Sequence, residues 1–502
     1  MRKAVLAILA GLLLLSGYAF AQEKDTIVIG TTDRIVTLDP ANAYDYLSCN
    51  VIRNIMSGLV DYKPGTLEIV PALAERWEIS SDGLIYTFYL RKGVKFSDGT
   101  LFNARAVKFS IDRVFKLNGD PSFLLTDVID SVEVVDDYTV RIKLRYPFAP
   151  LLSVMAFTVS FPVSPNAYND REFSDIGVGV GPYKVRKWTK DEELILEVNP
   201  NWYGPAPKAK VIVIRFYENS QSLKVAIEKG EVDIAYRTLN PEDILDLKKD
   251  DKLKVYEKES PAIRYIVFNV KREPFNNINV RRAIAYAIDR EMITKRVFKD
   301  TAFPLYSMIP VGIWGRLDVF PKYDREKAIG LLRGAGYSES KPLSIELWYT
   351  PTHYGFMEAD VAQMLKLMLE ATGIIRVDVK YAEWATYVEY FERGIMGIFL
   401  LGWYPDYIDP DDYIWPFVHS SSSPSLGSFY SNPKMDEILL RARQTPHVEG
   451  RSKVYEEAQR LLAEEVPYIP LWQLKQYCVA KPEIKGILLE PTQIFRYYLL
   501  YR

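Results

Sequence analysis

The sequence predicts an α/β protein of two or three domains, and three observations predict it. At 502 residues the chain is too long for one hydrophobic core. Its 48% hydrophobic and 25% charged residues match an ordinary globular protein. Strand-like apolar runs alternate with helical stretches along most of its length. Lys and Arg total 63 against 65 Asp and Glu, with no dense basic run, so nothing points to nucleic acid. Aromatics reach 13%, with 34 Tyr and 9 Trp; such rings either grip a small molecule by its faces or fill a core.

The chain opens with Arg2-Lys3, an apolar run from Ala4 to Leu15, and Ala19-Phe20-Ala21 before Gln22. That order of charged, apolar and small residues is expected of a secretory leader cleaved after Ala21. The apolar run is too short to span a bilayer. No cysteine follows it, so a lipid-modified cysteine is not expected, and a free periplasmic protein is. Only Cys49 and Cys478 are present, which excludes a disulfide framework and leaves a single bridge open.

From Thr26, Ile-Val-Ile-Gly reads as a buried strand. Leu38-Asp-Pro-Ala41 breaks it before a helix expected to carry Val51, Ile55 and Leu59 on one face. The run Leu73 to Thr100 reads as strands turning at Asp82-Gly83 and Asp98-Gly99. A helix from about Ala104 to Val114 follows, with Asn103 as its N-cap. Later strand-like runs are 209–216, 263–270, 342–348 and 377–379, and 361–372 is helical. Ser420 to Ser425 has the composition of a loop and directly follows the stretch discussed next.

That stretch is Phe399-Leu-Leu-Gly-Trp-Tyr-Pro-Asp-Tyr-Ile-Asp-Pro-Asp-Asp-Tyr-Ile-Trp-Pro-Phe417. Ile398 to Leu401 reads as a short apolar strand, Gly402 lets another group approach the backbone, and Pro405 and Pro410 delay any helix. Asp406 stands between Tyr404 and Tyr407, three residues after Trp403. Rings around a carboxylate lower the local dielectric and strengthen its attraction for a cation, which suits an ammonium group. The competing reading is a surface turn in which Asp406 and Asp409 cap the next helix, with Asp411 or Asp412 in a similar role.

Catalytic readings fail on context. Ser338-Glu-Ser-Lys341 has Ser-x-x-Lys spacing but lies between Gly336 and Pro342, where the helix it needs is not expected. Gly177-Val-Gly-Val-Gly181 lacks the helix or Gly-Lys-Ser/Thr ending of a phosphate loop and is expected to be a close backbone crossing. His353, His419 and His447 have no neighbour at metal-ligand spacing, and the aspartates after Tyr404 lack the calcium-loop pattern. No enzyme activity, cofactor or metal is expected.

The run from Leu73 to Thr100 closely resembles the signature region of the extracellular solute-binding proteins of family 5, the peptide and nickel binding group of ABC importers. The resemblance continues in Gly179-Val-Gly-Pro-Tyr-Lys184, Asn199-Pro-Asn-Trp-Tyr-Gly204, Lys229-Gly-Glu-Val-Asp-Ile-Ala235 and Val280-Arg-Arg-Ala-Ile-Ala-Tyr-Ala-Ile-Asp-Arg-Glu291. Tyr430-Ser-Asn-Pro-Lys-Met-Asp436 and Val466-Pro-Tyr-Ile-Pro-Leu471 extend it. It implies a two-lobed periplasmic binding protein of the type II class: lobe I from 22–268 and 473–502 with an extra subdomain at about 63–177, lobe II from 269–472. It implies a monomer that captures solute between its lobes and delivers it to permease and ATPase subunits. It also places Asp406 where peptide-binding members hold the free amino group, with Gly402, Trp403, Tyr404, Tyr407, Tyr354, Trp348 and Tyr44 as the expected surrounding set.

The ligand stays open at this point. Tyr354 stands where dipeptide-binding members carry the arginine that clamps the peptide carboxylate, and Leu400 where an oligopeptide binder carries another. An unpaired buried carboxylate is costly, which argues against short zwitterionic peptides and leaves open longer ones whose C-terminus stays in water. The alternative is a neutral oligosaccharide stacked on Trp348, Tyr349, Tyr354, Trp384, Trp403 and Tyr404, with Asp406 or Asp409 accepting hydroxyl hydrogen bonds. A nickel chelate is a third, weaker reading.

Overall fold

The computed structural model describes residues 25–351, 353–355 and 357–502; the expected leader lies outside the described residues. A mixed sheet of eleven strands runs through the molecule. At its centre lie two long antiparallel partners, Lys254–Phe268 and Tyr468–Ala480. One end of each pairs with Ile234–Tyr236 or with its long partner alone, next to Thr26–Thr31 and Val211–Phe216. The other end carries Ile398–Trp403, then Leu343–Tyr349 and Ile375–Tyr381. Strands covered on both faces, such as Thr26–Thr31 and Ile398–Trp403, read as continuous apolar runs, whereas Leu343–Tyr349 and Ile375–Tyr381 alternate buried and exposed residues.

Between the two halves the ladder of the long strands is broken. Glu259 pairs with Lys475 and Ile263 with Gln473, so three residues on one strand face a single one on the other. A bulge of this kind leaves backbone carbonyls unpaired, and buried carbonyls need donors. Gln473 Nε2 donates to the Ser260 carbonyl and Gln476 Nε2 to the Glu259 carbonyl, each at 2.8 Å.

The Leu73 to Thr100 run forms Ala74–Ile79 and Ile85–Leu90, joined at the expected Asp82-Gly83 turn, and Thr139–Leu144 and Ile129–Asp136 complete a four-stranded antiparallel sheet. Val94 and Phe96 are buried around the Asp98-Gly99 turn but lie in no regular strand. The helix Ala104–Leu117 is capped as expected, Asn103 accepting from the Arg105 and Ala106 amides. It is tied to the rest by Arg113, whose guanidinium forks onto Asp39 at 2.8 and 2.5 Å. Both residues are almost wholly buried, and the Asn169 and Glu172 carbonyls and Ser174 amide complete the network.

The first long helix, Tyr46–Ile55, is shorter than the sequence pattern suggested. Leu59 lies beyond it because the Gly177 to Gly181 run crosses the helix end. The Gly181 amide donates to the Ile55 carbonyl at 2.9 Å. A Cβ on Gly179 or Gly181 would lie 2.4 Å from Ile55 backbone atoms, so the crossing admits no side chain. Cys49 and Cys478 are both buried and free.

Removing Asp39's charge would strand the buried Arg113. Asp39→Asn is expected to lower stability by about 3–5 kcal/mol in denaturant unfolding; a loss well below 1 kcal/mol would contradict this account of the anchor.

Candidate functional site

Ile398–Trp403 lies inside the sheet, antiparallel to the long strand on one side and parallel to Leu343–Tyr349 on the other. The backbone approach expected at Gly402 comes from Arg264, directly across the ladder. A Cβ at Gly402 would lie 2.5 Å from the Arg264 Nη1. The chain leaves the strand through Tyr404 and Pro405 and re-enters regular structure as the helix Pro410–Val418. Asp409 is the helix cap, accepting from the Asp411 amide at 2.9 Å, so neither Asp411 nor Asp412 takes that role.

The four aspartates of this stretch have unequal partners. Asp409 is gripped by both Arg451 terminal nitrogens at 2.7 and 2.6 Å. Asp411 is held by Arg443, at 2.7 Å from Nη2, and by the Tyr407 and Tyr455 hydroxyls. Asp406 and Asp412 have no Lys or Arg ion-pair partner among the described residues. Asp412 accepts from the Trp403 indole at 2.9 Å and from the Asp406 amide at 3.1 Å. Asp406 accepts the Tyr44 hydroxyl on Oδ1, and Oδ2 accepts no hydrogen bond among the described residues.

Burial, relieved only in part by the Tyr44 hydrogen bond, raises the Asp406 carboxyl to about 6. Asp412 is raised well above the usual carboxylate range by burial and by repulsion from Asp406. The stretch therefore resists carrying all four charges at once, and the half-buried Asp406 is left without a Lys or Arg partner among the described residues.

Asp406 lines a cavity of about 500 Å³. Its lining includes Tyr46, Cys49, Asn50 and Arg53 of the helix Tyr46–Ile55, the segment Tyr404 to Ile408, and Thr492 to Ile494. A second cavity of about 600 Å³ shares Arg237, Tyr404 and Gln493 with the first and adds Arg264, Tyr354, Glu358 and Trp472.

Of the residues expected at the site, Tyr44, Tyr404, Asp406 and Tyr407 meet at the first cavity. Tyr404 keeps 43% of its surface exposed. Tyr354 lines the second cavity, with its hydroxyl on the Gly402 carbonyl at 3.2 Å and its ring 4.3 Å under the Arg264 guanidinium. Trp403 is turned inward, against Phe417 and Asp412. Trp348 packs edge-on against Tyr390 and lines neither cavity. His353 is stacked 3.6 Å from Trp384; burial and the nearby Arg264 lower it to about 4, so it is neutral at pH 7.

Sequence reasoning missed Arg237, Arg264 and Arg53. Arg264 sits inside a run read only as an apolar strand. Its burial is supported by Glu358, 3.5 Å away, whose own carboxyl burial raises to about 7 against the pull of Arg264. Arg237 pairs with Asp33 at 3.0 Å. No local pattern marks any of the three.

A model of the bacterial extracellular solute-binding proteins, family 5, middle region, matches residues 68–425, and the chain belongs to that family. It is 29% identical over 466 residues to the dipeptide-binding protein of Escherichia coli, covering 86% of each chain. It is 31% identical to the glutathione-binding protein GsiB of Salmonella typhimurium, covering 94% of this chain and 93% of that one. Among solved structures it superposes on the periplasmic binding protein DppA of Helicobacter pylori in complex with the peptide STSA. That match has a TM-score of 0.79 at 28% identity, over 95% of this chain and 98% of that one. HbpA2 of Haemophilus parasuis matches with a TM-score of 0.86 at 25% identity, over 95% and 99%. The fold is therefore the two-lobed one of family 5 periplasmic binding proteins. No helix among the described residues is long and apolar enough to cross a membrane.

The raised Asp406 carboxyl has a stability consequence. Its folded value of about 6 exceeds the roughly 3.9 of an unfolded aspartate, so the folded state binds the extra proton between these limits. The stabilisation is complete below the unfolded value and is lost as pH rises through the folded one. Asp406→Asn is expected to melt higher than wild type at pH 7.5, with the gap closing toward pH 4. A variant that melts lower at pH 7.5 would contradict the burial of an unbalanced charge.

Proposed function

We propose that this protein is the solute-binding component of an ABC importer, that it works in the periplasm as a monomer, and that its ligand is a short peptide. The observation that carries the reading is Asp406, a carboxylate on the cavity wall with no Lys or Arg ion-pair partner among the described residues. A peptide's amino-terminal ammonium supplies the missing charge. Peptide-binding relatives, among them the dipeptide binder of Escherichia coli and the STSA-bound protein of Helicobacter pylori, support it. If round, a 500 Å³ cavity is about 10 Å across, room for about three extended residues at roughly 3.5 Å each.

The oligosaccharide reading is weaker because the rings it needs are engaged. Trp384 is covered by His353, Trp403 faces Phe417 and Asp412, and Tyr354 lies under Arg264. Asp409, its second acceptor, is buried in the Arg451 pair. The nickel reading also lacks support: His353 is stacked on Trp384, and the described residues hold no group of three His, Cys, Asp or Glu side chains that could hold a metal ion.

No chemistry on the ligand is proposed, only capture and delivery. The division expected from sequence, 22–268 with 473–502 against 269–472, stands as a proposal, with bending placed at the broken ladder of Ser260–Ala262. There the backbone is held by glutamine side chains that can re-form their hydrogen bonds, so the lobes can close over a ligand that contacts both.

Asp406→Asn keeps the shape and removes the charge. Truncating one partner of a desolvated charge pair costs about 2–5 kcal/mol, so affinity for a peptide with a free amino group should fall about 100-fold. A neutral sugar would lose nearer 1 kcal/mol. Only the ionised carboxylate pairs with an ammonium, so wild-type affinity should also fall as pH drops below about 6, and the variant's should not. Unchanged affinity in calorimetric titration of Asp406→Asn would remove Asp406 from the site.

A further inference from the structure

Three arginines reach the two cavities, and two have their charge answered inside the protein: Arg237 by Asp33 and Arg264 by Glu358. Arg53 is different. It sits in the last turn of Tyr46–Ile55 and lines the 500 Å³ cavity together with Asp406. It also lines an adjoining cavity of about 360 Å³. Among the described residues its guanidinium makes no hydrogen bond and no ion pair. Its contacts are the rings of Phe161 and Phe157, at 5.7 and 6.0 Å.

Two modest explanations compete. A cation in the last turn complements the helix dipole, and the two rings attract it, but both effects are small beside the cost of desolvating a guanidinium. Burial pulls the Arg53 pKa down, and Asp61, the carboxylate that does most to oppose this, is already gripped by Arg496 at 2.6 Å. A second, independent observation points the same way. Tyr62 lines both cavities beside Arg53 and is 2% exposed, and its hydroxyl makes no well-aligned hydrogen bond among the described residues, with only the Ser153 side chain and the Ile408 backbone as weak polar neighbours. An unpaired guanidinium and a weakly held phenol lining the same cavities are complementary to an oxyanion.

We propose that Arg53, assisted by the Tyr62 hydroxyl, receives a carboxylate of the ligand, so that the substrates are short peptides with an anionic group as well as a free amino group. This rests on the peptide reading of the Asp406 cavity and narrows it. The carboxylate clamp that Tyr354 and Leu400 do not supply comes from the helix Tyr46–Ile55. Arg53 and Asp406 then face the two ends of one ligand, and a ligand carrying both charges ties the helix wall to the loop wall.

The test is calorimetric titration of wild type with Ala-Ala-Ala, its C-terminal amide, and the amide of Ala-Glu-Ala, repeated with Arg53→Met and Arg53→Lys. Wild type should bind at least one carboxylate-bearing peptide about 100-fold more tightly than the Ala-Ala-Ala amide. Preference for the free acid identifies the C-terminal carboxylate as the group bound, and preference for Ala-Glu-Ala amide identifies an acidic side chain. Arg53→Met should abolish the preference while leaving the Ala-Ala-Ala amide nearly unaffected, and Arg53→Lys should restore part of it. Equal wild-type affinity for all three, which needs no variant to observe, overturns the role of Arg53 and leaves the peptide reading standing. So does a preference that persists in Arg53→Met. Failure of all three to bind wild type overturns the peptide reading, and this inference with it.

Discussion

Charge balance in the stretch from Asp406 to Asp412 is the constraint on which the site depends. Four carboxylates are packed into seven residues, and two of them, Asp409 and Asp411, are neutralised by arginines brought in from the helices that follow. Those pairs fix the helix Pro410–Val418 and so hold the loop before it rigid. Asp412 is used to fasten that loop, through the Trp403 indole and the Asp406 amide. Asp406 is left at the cavity with no Lys or Arg ion-pair partner among the described residues. An unpaired buried charge is destabilising by itself, and a site that keeps one gains differential affinity for the cation that arrives.

The surroundings hold that residue in place. The Tyr44 hydroxyl reaches Asp406 across the cavity from a segment 362 residues away in sequence, so loop and helix wall are already in register. Backbone crowding fixes the helix wall, because the Gly179 and Gly181 crossing lets the chain pass directly over its end. The long strands connect the two halves, and at the break in their ladder the freed carbonyls are held by Gln473 and Gln476.

What could be read from sequence was what is local. The strand Ile398–Trp403, the proline-stiffened turn and the aromatic flanks of Asp406 follow from neighbouring residues, as do the turn at Asp82-Gly83 and the Asn103 cap. The fate of each aspartate could not be read. Whether it caps a helix, meets an arginine or faces a cavity depends on Arg443 and Arg451, 32 and 42 residues on. Trp403 and Trp348 show the same limit, since an aromatic next to a site points into the core as readily as into the cavity. Arg264 was hidden because a strand read as apolar tolerates one guanidinium when a glycine opposite makes room and a glutamate answers its charge.

The central claim, that Asp406 is kept unbalanced in order to hold an ammonium, is tested most directly by changing the ligand and leaving the protein intact. Binding of a tripeptide with a free amino terminus can be compared by calorimetry at pH 7.5 with its N-acetylated form, which differs only in lacking that charge. Acetylation should weaken binding about 100-fold, the cost of leaving one member of a desolvated pair alone. Equal affinity for the two forms would contradict it.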